Sequence, residues 1–284
     1  MSWSVKVRQV LVTAVVALVL TVPAATRAGA ASESATSGRL HASFTYSGHF
    51  PEAKNARLVI SDNGVVLYDH LVYSKWCGYR CWPLDLTTRS TVLHTVRLQA
   101  TATPSVVLGL YSGGAHCCSI EQVFSLDPTT KTFTKIEYDF GDPGVQVVAR
   151  GPGGSSVFLS ADSSFAYAFT DYAASGMPIE ILSVSHGHFL DITRSYPNLI
   201  ARDAAMWMRT FRSSASSHYQ DTVGLAAAWA ADEDLLGHYA TVNTFLASQA
   251  AAGHLNSALS PEEPSGHRFV LALQTFLRRH GYVK

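Results

Sequence analysis

The stretch SVVLGLYSGGAHCCSIEQVFSLD, Ser105–Asp127, decides the fold class. It begins with an apolar run, passes through a glycine-rich loop that holds a histidine and two adjacent cysteines, and ends in a second apolar run before Asp127-Pro128. Asp-Pro starts turns, because the Asp side chain accepts backbone hydrogen bonds and proline cannot donate to a continuing strand. The stretch therefore predicts a strand, a loop, and a hairpin whose second strand resumes at Phe133.

The same pattern recurs further along the chain. SVFLSADSSF from Ser156 resembles SVVLGLYSGG from Ser105, and IEILSVSH from Ile179 resembles IEQVFSLD from Ile120, with extra residues around FAYAFTDY. Each unit is a strand, a loop and a hairpin, and a period of about 50 residues built of short strands is typical of blade-like repeats. A closed propeller usually needs at least about four blades, so we expect a partial propeller or a β-sandwich.

Two further hairpins fit this β texture. ARLVISDNGVVLYDHLV carries two apolar runs around Asn63-Gly64, the pair that best tolerates the positive φ angles of a type I′ turn. The segment IEILSVSHGHFLDIT turns at His186-Gly187. Antiparallel strands are therefore predicted to dominate residues 40–197.

Residues 198–284 read as helices. Their apolar residues recur at the spacing of one helix face, and Asp232, Glu233 and Asp234 suit the N-terminus of the second predicted helix. We expect a further helix over Thr222–Trp229, and an α+β fold in which the helical region packs on the antiparallel β region. The three predicted faces are Ile200, Ala204, Trp207 and Phe211; Leu235, Tyr239, Val242 and Leu246; and Phe269, Leu273, Phe276 and His280.

The first thirty residues have the pattern of a secretory signal peptide. Lys6 and Arg8 precede the apolar run Val10–Val22, and Ala28-Gly29-Ala30 is a small-residue cleavage site. An uncleaved anchor is the alternative, although the run is shorter than the roughly 20 residues of a membrane span. We expect a secreted or cell-envelope protein with no membrane span after cleavage, and a flexible leader over residues 31–39.

The charge of the mature chain argues against nucleic acid as a partner. The whole chain carries 21 basic and 21 acidic side chains, and Lys6, Arg8 and Arg27 would leave with the leader. The remainder is slightly acidic and has no basic stripe to bind a phosphate backbone. The expected partner is an envelope protein or a glycan.

The four cysteines predict disulfides, because an even number in an exported protein is typical of oxidised pairs. We expect Cys77 and Cys81 to pair with Cys117 and Cys118, in either order. The alternative is a local Cys77–Cys81 bridge, which would leave Cys117 and Cys118 to pair as neighbours.

In the cross-paired arrangement, the remaining residues of both loops have structural roles. Gly113 and Gly114 would form a tight turn, Trp76 and Trp82 would cover the sulfur atoms, and His116 would be a polar member hydrogen-bonded to backbone. No catalytic residue, metal ligand or cofactor is expected from this pattern.

Two chemical alternatives use the same loop. His116 with the cysteines could ligate zinc or copper, but adjacent cysteines in an extended segment point apart. A hydrolase centred on His116 would need a nucleophile and a base, and the loop contains no G-x-S-x-G elbow. Asp139 and Asp142 in YDFGDPG offer a carboxylate pair, although Asp-Pro-Gly is typical of a turn.

The strings GGAHCC and FAYAFTDYAASGMPIEILSVSHGHFLDITRSYP resemble a group of uncharacterised secreted bacterial proteins that are distantly similar to FG-GAP and VCBS propeller repeats. The resemblance covers about Val106 to Pro197 and implies a blade-like fold and an exported location. In that group a calcium-type loop often precedes the GGAHCC strand. Here the corresponding stretches, ATATPS from Ala100 and RGPGGSS from Arg150, lack its carboxylates.

Two functional hypotheses remain. The first is an exported non-enzymatic binding or structural module. The second is an exported hydrolase or metalloprotein that uses His116 and its neighbours.

Overall fold

The computed structural model describes residues 30–84, 91–98, 103–116, 118–149, 151–216, 221–257 and 262–283. The predicted signal peptide, residues 1–30, lies outside these ranges except for Ala30. The described chain is α+β as predicted, with antiparallel strands followed by four helices. The strands are β1 Ala31–Ser37, β2 Leu40–His49, β3 Glu52–Asp62, β4 Val65–Leu71, β5 Trp82–Pro83, β6 Leu93–Val96, β7 Ser105–Tyr111, β8 Ser119–Leu126, β9 Phe133–Asp139, β10 Gln146–Val148, β11 Val157–Ala161, β12 Ile179–Ser185 and β13 His188–Asp191. The helices are α1 Pro197–Ala215, α2 Val223–Leu235, α3 Tyr239–Ala251 and α4 Gly266–Arg279.

The strands form three sheets that follow one another along the chain. The first has the order β1-β2-β3-β4, the second β5-β7-β8-β9 with β6 also paired to β7, and the third β10-β11-β12-β13. The two similar sequence units each lie on three consecutive antiparallel strands, β7, β8 and β9 in the second sheet and β11, β12 and β13 in the third.

The central strands of the second sheet, β7 and β8, are buried on both faces. Val106 and Leu108 of β7 share a core with Phe44 of the first sheet, whereas Val107 packs with Phe158 of the third sheet. Successive residues of a strand point to opposite faces, so a strand between two layers needs apolar residues at nearly every position. This explains why VVLGL is a continuous apolar run rather than an alternating one.

The expectation of a flexible leader at residues 31–39 is wrong for Ala31–Ser37. These residues form β1 and pair with β2 from Ala31 opposite Tyr46 to Ser37 opposite Leu40. The strand has few large apolar residues because it lies at the edge of the first sheet, where half of its positions face solvent. Its Glu33 side chain accepts a 2.8 Å hydrogen bond from the backbone amide of Val92 and so ties the edge to the segment before β6.

The predicted hairpins are confirmed. Asn63 and Gly64, at φ 50° and 81°, join β3 to β4, and His186 and Gly187, at 50° and 75°, join β12 to β13. Two consecutive positive φ angles are the mark of a type I′ turn. Between β8 and β9, the Asp127 carboxylate accepts backbone hydrogen bonds from Thr129 and Thr130 at 2.7 and 3.1 Å.

The helices follow the predicted faces with one correction. Leu235 ends α2 and Tyr239 begins α3, so the predicted Leu235–Leu246 face belongs to two helices. Gly237, at φ 84°, allows the chain to turn between them. Asp232 and Asp234 therefore lie at the C-terminal end of α2, where they are buried, and not at the N-terminus of α3.

The inserted segment between β11 and β12 joins the β region to the helices. Phe165 and Phe169 from this segment are buried in the helical core and contact the ring of Phe276. The backbone approaches closely here, since a Cβ on Gly224 of α2 would lie 2.3 Å from the carbonyl oxygen of Ala174. The insertion is therefore the anchor of the helical region.

Arg194 fastens the same junction from the end of the third sheet. Its guanidinium donates hydrogen bonds to the carbonyl oxygens of Leu235, Gly281 and Tyr282.

Within the described ranges, none of the helices combines the length and apolar composition that crossing a membrane would require.

Candidate functional site

The cysteine loop is closed locally, and the predicted cross-pairing is wrong for Cys77 and Cys81. These two residues are bonded to each other, with their Cα atoms 5.2 Å apart. The reason is a tight turn, in which Ser74 and Gly78 exchange backbone hydrogen bonds of 3.0 and 2.8 Å. Such a turn brings cysteines four positions apart within bridging distance. Cys118 is also in a disulfide, and Cys117 lies outside the described residues.

The two tryptophans that flank this loop have different surroundings. Trp76 packs against the core between the first and second sheets together with Cys77 and Cys81, and the Lys75 ammonium lies 4.2 Å from the Trp76 ring centroid. Trp82, after the second cysteine, contacts the rings of Tyr46 and Phe50. Trp82, one of the two tryptophans predicted to cover the sulfur atoms, is thus part of an aromatic surface.

The glycine-rich loop after β7 turns where the sequence predicts. Gly113 and Gly114 have φ angles of 81° and 140°, which strongly favour glycine. The loop closes on itself, because the Ser112 amide donates to the Cys118 carbonyl at 3.2 Å and the Cys118 amide donates to the Ser112 hydroxyl at 3.0 Å. The Tyr111 hydroxyl donates to the Gly114 carbonyl oxygen.

His116 stands at the outer edge of this loop. Its ring stacks on Tyr172 with centroids 4.0 Å apart, and its Nδ1 atom is 3.7 Å from the Asp142 carboxylate. The latter distance is too long for a hydrogen bond, and both side chains are partly exposed. His116 is therefore packed on a tyrosine of the inserted segment, a contact that the sequence analysis did not foresee.

Four aromatic side chains meet at the end of the first two sheets, and we call them the aromatic row: Tyr46, Phe50, Trp82 and Tyr111. Phe50 lies nearly parallel to Tyr111, at 8° and a centroid distance of 6.2 Å, and meets Trp82 edge to face at 5.9 Å. Trp82 meets Tyr46 edge to face at 5.6 Å. The Phe50 side chain is 65% exposed, whereas the other three are partly buried.

Regular backbone pairing holds this row in place. Trp82 of β5 is the direct ladder partner of Tyr111 of β7, which puts both side chains on one face of the sheet. Phe50 lies in the turn between β2 and β3, beside Gly48, whose Cβ would collide with the Glu52 carbonyl oxygen at 2.6 Å. The row therefore rests on strands and on a turn that tolerates no side chain at Gly48.

Sequence reasoning missed the row because its members come from three separate parts of the chain. Of the four residues, the sequence pattern assigns a role only to Trp82, as a cover for the sulfur atoms. The available signal was the aromatic content of the turns themselves, Phe50 after Gly48 and Trp82 after Cys81. Nothing in the spacing of these residues shows that their rings converge.

A second group of acidic side chains lies at the junction of the third sheet with the helices. Asp162, Glu180 and Asp191 line a cavity of about 170 Å³ at this junction. Burial, and then the charges of Asp162 and Asp191, raise the pKa of Glu180 to about 7, although the Tyr138 hydroxyl donates a hydrogen bond to it. The hydroxyl of Tyr282 donates to Asp162 at 2.7 Å.

Among the described residues, no group of His, Cys, Asp and Glu side chains has the arrangement of a metal site.

Glu121 of β8 is a buried carboxylate. It is 2% exposed, and its Oε2 atom has no hydrogen-bond partner. Burial raises the pKa of Glu121 well above its ordinary value, because an apolar interior disfavours the charged form.

Two curated proteins are similar to parts of this chain. Probable thylakoid lumen protein sll0997 of Synechocystis sp. is 26% identical over 136 residues, which cover 47% of this chain and 40% of that protein. Uncharacterized protein y4bJ of Sinorhizobium fredii is 25% identical over 199 residues, 65% of this chain and 31% of that protein. The chain thus spans less than half the length of either relative. No family model matches the chain, and no solved structure matches it.

Proposed function

We propose that this protein is an exported, non-enzymatic binding module that holds its target with the aromatic row. The observation that carries this proposal is the convergence of four rings with Phe50 left 65% exposed. Burying a large aromatic side chain is favourable, so an ordered exposed cluster of rings is typical of an interaction surface. Aromatic residues are also the commonest anchors of binding energy.

The rigidity of the row supports a binding role. Trp82 is placed by its pairing with Tyr111, and the Cys77–Cys81 bridge closes the loop that leads into Trp82. The amide of Ala53, just after the Phe50 turn, donates to the Arg80 carbonyl at 3.2 Å and joins that turn to the same loop. A surface ordered before binding loses less conformational entropy when its target arrives.

Three observations favour a location outside the cytoplasm. The first residues have the pattern of a secretory signal. The Cys77–Cys81 disulfide is stable in oxidising compartments and rare in the cytosol. A relative is named for the thylakoid lumen, which is also outside the cytoplasm.

A hydrolase centred on His116 has less support. The His116 Nδ1 atom is 3.7 Å from Asp142, beyond the reach of a hydrogen bond that would orient a general base. The neighbouring Cys118 is in a disulfide, so its sulfur is not a free nucleophile. The ring stacks on Tyr172, which gives the histidine a packing role.

Binding to washed envelope fractions of the producing cells tests this proposal. The chain from Ala31 onward is labelled and sedimented with the fractions, in wild-type form and as Phe50→Ala. Loss of one buried anchor typically weakens binding by about tenfold or more. The matched control is Val65→Ser, which changes a side chain of similar exposure, 62%, at the first residue of β4, where it pairs with Asp62 at the other end of β3 from Phe50.

The expected result is retention of wild type and of Val65→Ser, with at least about a tenfold loss of affinity for Phe50→Ala. Circular dichroism verifies that all three chains are folded. Absence of wild-type binding, or equal binding by wild type and Phe50→Ala, would overturn the proposal.

A further inference from the structure

We propose that the segment after α4, residues 281–283, is a pH-sensitive latch on the third sheet, seated while Glu180 is protonated and released when Glu180 is ionised. We call these three residues the latch. The proposal goes beyond the binding role of the aromatic row and uses none of its residues. It rests on a cavity in which carboxylates of the third sheet meet side chains of the helical region.

Three hydrogen bonds hold the latch against the end of the third sheet. The Tyr282 hydroxyl donates to the Asp162 carboxylate at 2.7 Å. The Arg194 guanidinium donates to the carbonyl oxygens of Gly281 and Tyr282 at 3.0 and 2.8 Å. The Tyr282 ring is 7% exposed and meets the Phe165 ring edge to face. The latch is therefore fastened at a few points that can break together.

The latch lines one side of the cavity of about 170 Å³ that also contains Asp162, Glu180 and Asp191. In the described part of the chain, hydroxyl and backbone amide groups supply the hydrogen bonds to these three carboxylates. Arg194 lines the same cavity, but its guanidinium donates to backbone carbonyl oxygens. A negative charge on Glu180 therefore has no hydrogen-bonded cation to balance it.

Acidic groups also face the latch from the helical side. Burial, and then the neighbouring Asp162, raise the pKa of the Tyr282 hydroxyl, and the charges of Asp232 and Glu180 add to this effect. Tyr282 thus lies between carboxyl groups of the sheet and of α2. The titratable and charged side chains at this junction are Tyr138 of β9, Asp162 after β11, Glu180 of β12, Asp191 of β13, Arg194 after it, Asp203 of α1, Asp232, Glu233 and Asp234 of α2, and His280 and Tyr282 after α4.

Ionisation of Glu180 favours release because a charged carboxylate is better solvated in water than in a closed cavity. Burial, and then the charges of Asp162 and Asp191, raise the Glu180 pKa from 4.5 to about 7 while the latch is seated. The seated state is therefore fully favoured below pH 4.5, and its advantage is lost as pH rises through about 7. If water returns Glu180 to its ordinary pKa, the equilibrium constant for release rises about tenfold between pH 6 and 8.5.

Release is confined to the latch by the packing of α4. Phe269 and Leu273 of this helix are fully buried in the helical core. The latch, in contrast, buries one large side chain, Tyr282. A segment with few buried contacts opens at a lower free energy than the core to which it is attached.

Nitration of Tyr282 measures the release. Tetranitromethane nitrates accessible tyrosine rings, and trypsin then cuts out HGYVK, residues 280–284, whose single tyrosine is Tyr282. Tyr79, 59% exposed and recovered in WCGYR after reduction, is the reference, because the ratio of the two nitration rates removes the pH dependence of the reagent. In wild type this ratio should rise about tenfold between pH 6 and 8.5. A constant ratio would overturn the proposal.

Three variants assign the response to Glu180. Glu180→Gln should lose most of the rise, whereas the matched control at an exposed position, Glu262→Gln, should respond like wild type. His280→Gln should also respond like wild type, since the histidine lines the same cavity but is not the proposed sensor. A full rise in Glu180→Gln, or a rise that only His280→Gln abolishes, would contradict the proposed sensor.

Urea at low concentration separates release of the latch from unfolding of the whole chain. Release exposes little surface, so the nitration ratio at pH 8.5 should change little between 0 and 1 M urea. Nitration through global unfolding would be accelerated at least about fivefold by the same addition. Acceleration of that size would show that Tyr282 reacts only in the unfolded chain, and the latch would be wrong.

Discussion

Asp203 of α1 and Asp232 of α2 place two carboxyl groups close enough to interact, and Asp232 is fully buried with no hydrogen-bond donor on either oxygen. Two ionised carboxylates side by side repel each other and cannot hydrogen-bond to each other, so this arrangement favours a proton on one of them. Burial raises the pKa of both groups, and the charge of Asp203 raises that of Asp232 further. With the proton in place, the otherwise unpartnered oxygens of Asp232 gain a partner.

We expect Asp232→Asn to stabilise the protein at neutral pH and to flatten its pH dependence. The folded state keeps a proton that the unfolded chain releases above its ordinary pKa of 3.8. Stability is therefore fully present at low pH and falls as pH rises, by up to about 1.4 kcal/mol per pH unit. Asparagine donates the same hydrogen bond without taking up a proton.

Urea unfolding at pH 5, 6, 7 and 8 measures this slope. The exposed Glu262 supplies the matched control, Glu262→Gln, which should leave the slope unchanged. An Asp232→Asn chain that is less stable than wild type at pH 8, with the slope preserved, would contradict a protonated pair.

Glu180→Gln should remove a different part of the pH dependence. The Glu180 pKa is raised from 4.5 to about 7 in the folded protein. Its contribution is therefore fully present below pH 4.5 and is lost as pH rises through about 7. We expect the variant to be more stable than wild type at pH 8 by about 2 kcal/mol, because glutamine also accepts from the Tyr138 hydroxyl. Equal stability of the two chains at pH 8 would argue against a raised pKa.

Gly224→Ala should weaken the anchoring of the helical region. The added Cβ would lie 2.3 Å from the carbonyl oxygen of Ala174 and 3.0 Å from the Thr170 side chain. Overpacking of this kind typically costs about 1–3 kcal/mol, measured as a lower midpoint in urea. Thr241→Ala, on an exposed position of α3, should change stability by less than about 0.5 kcal/mol. A urea unfolding midpoint of Gly224→Ala equal to that of wild type would contradict this close contact between α2 and the Ala174 backbone.

Non-reducing tryptic mapping tests whether Cys77 and Cys81 are bonded to each other. Cleavage after Lys75, Arg80 and Arg89 gives WCGYR and CWPLDLTTR, which the Cys77–Cys81 bridge should keep together until reductant is added. Cys118 is also oxidised, so its thiol should not react with an alkylating reagent in the folded or the urea-unfolded chain until reductant is added. A peptide cross-linked between the two regions would restore the original pairing prediction.

Local features of this fold were predictable because their causes lie within a few residues. Asn63-Gly64 and His186-Gly187 select type I′ turns whatever surrounds them. The apolar spacing of α1 and α4 follows from helix geometry alone. The polar strand β1 escaped prediction, because its pairing partner, and not its own composition, makes it a strand.

The amino-acid sequence by itself determined the division into an antiparallel β region and a helical region, and the turns at Asn63-Gly64 and His186-Gly187, since backbone propensity and side-chain periodicity act locally. Tertiary structure decided the rest. Which cysteines bond depended on the turn between Ser74 and Gly78. The aromatic row and the Asp203–Asp232 pair depended on packing between segments far apart in the chain. Exposure of a ring and the pKa of a carboxyl group are set by whatever neighbour the fold brings to them, and linear spacing carries no record of that neighbour.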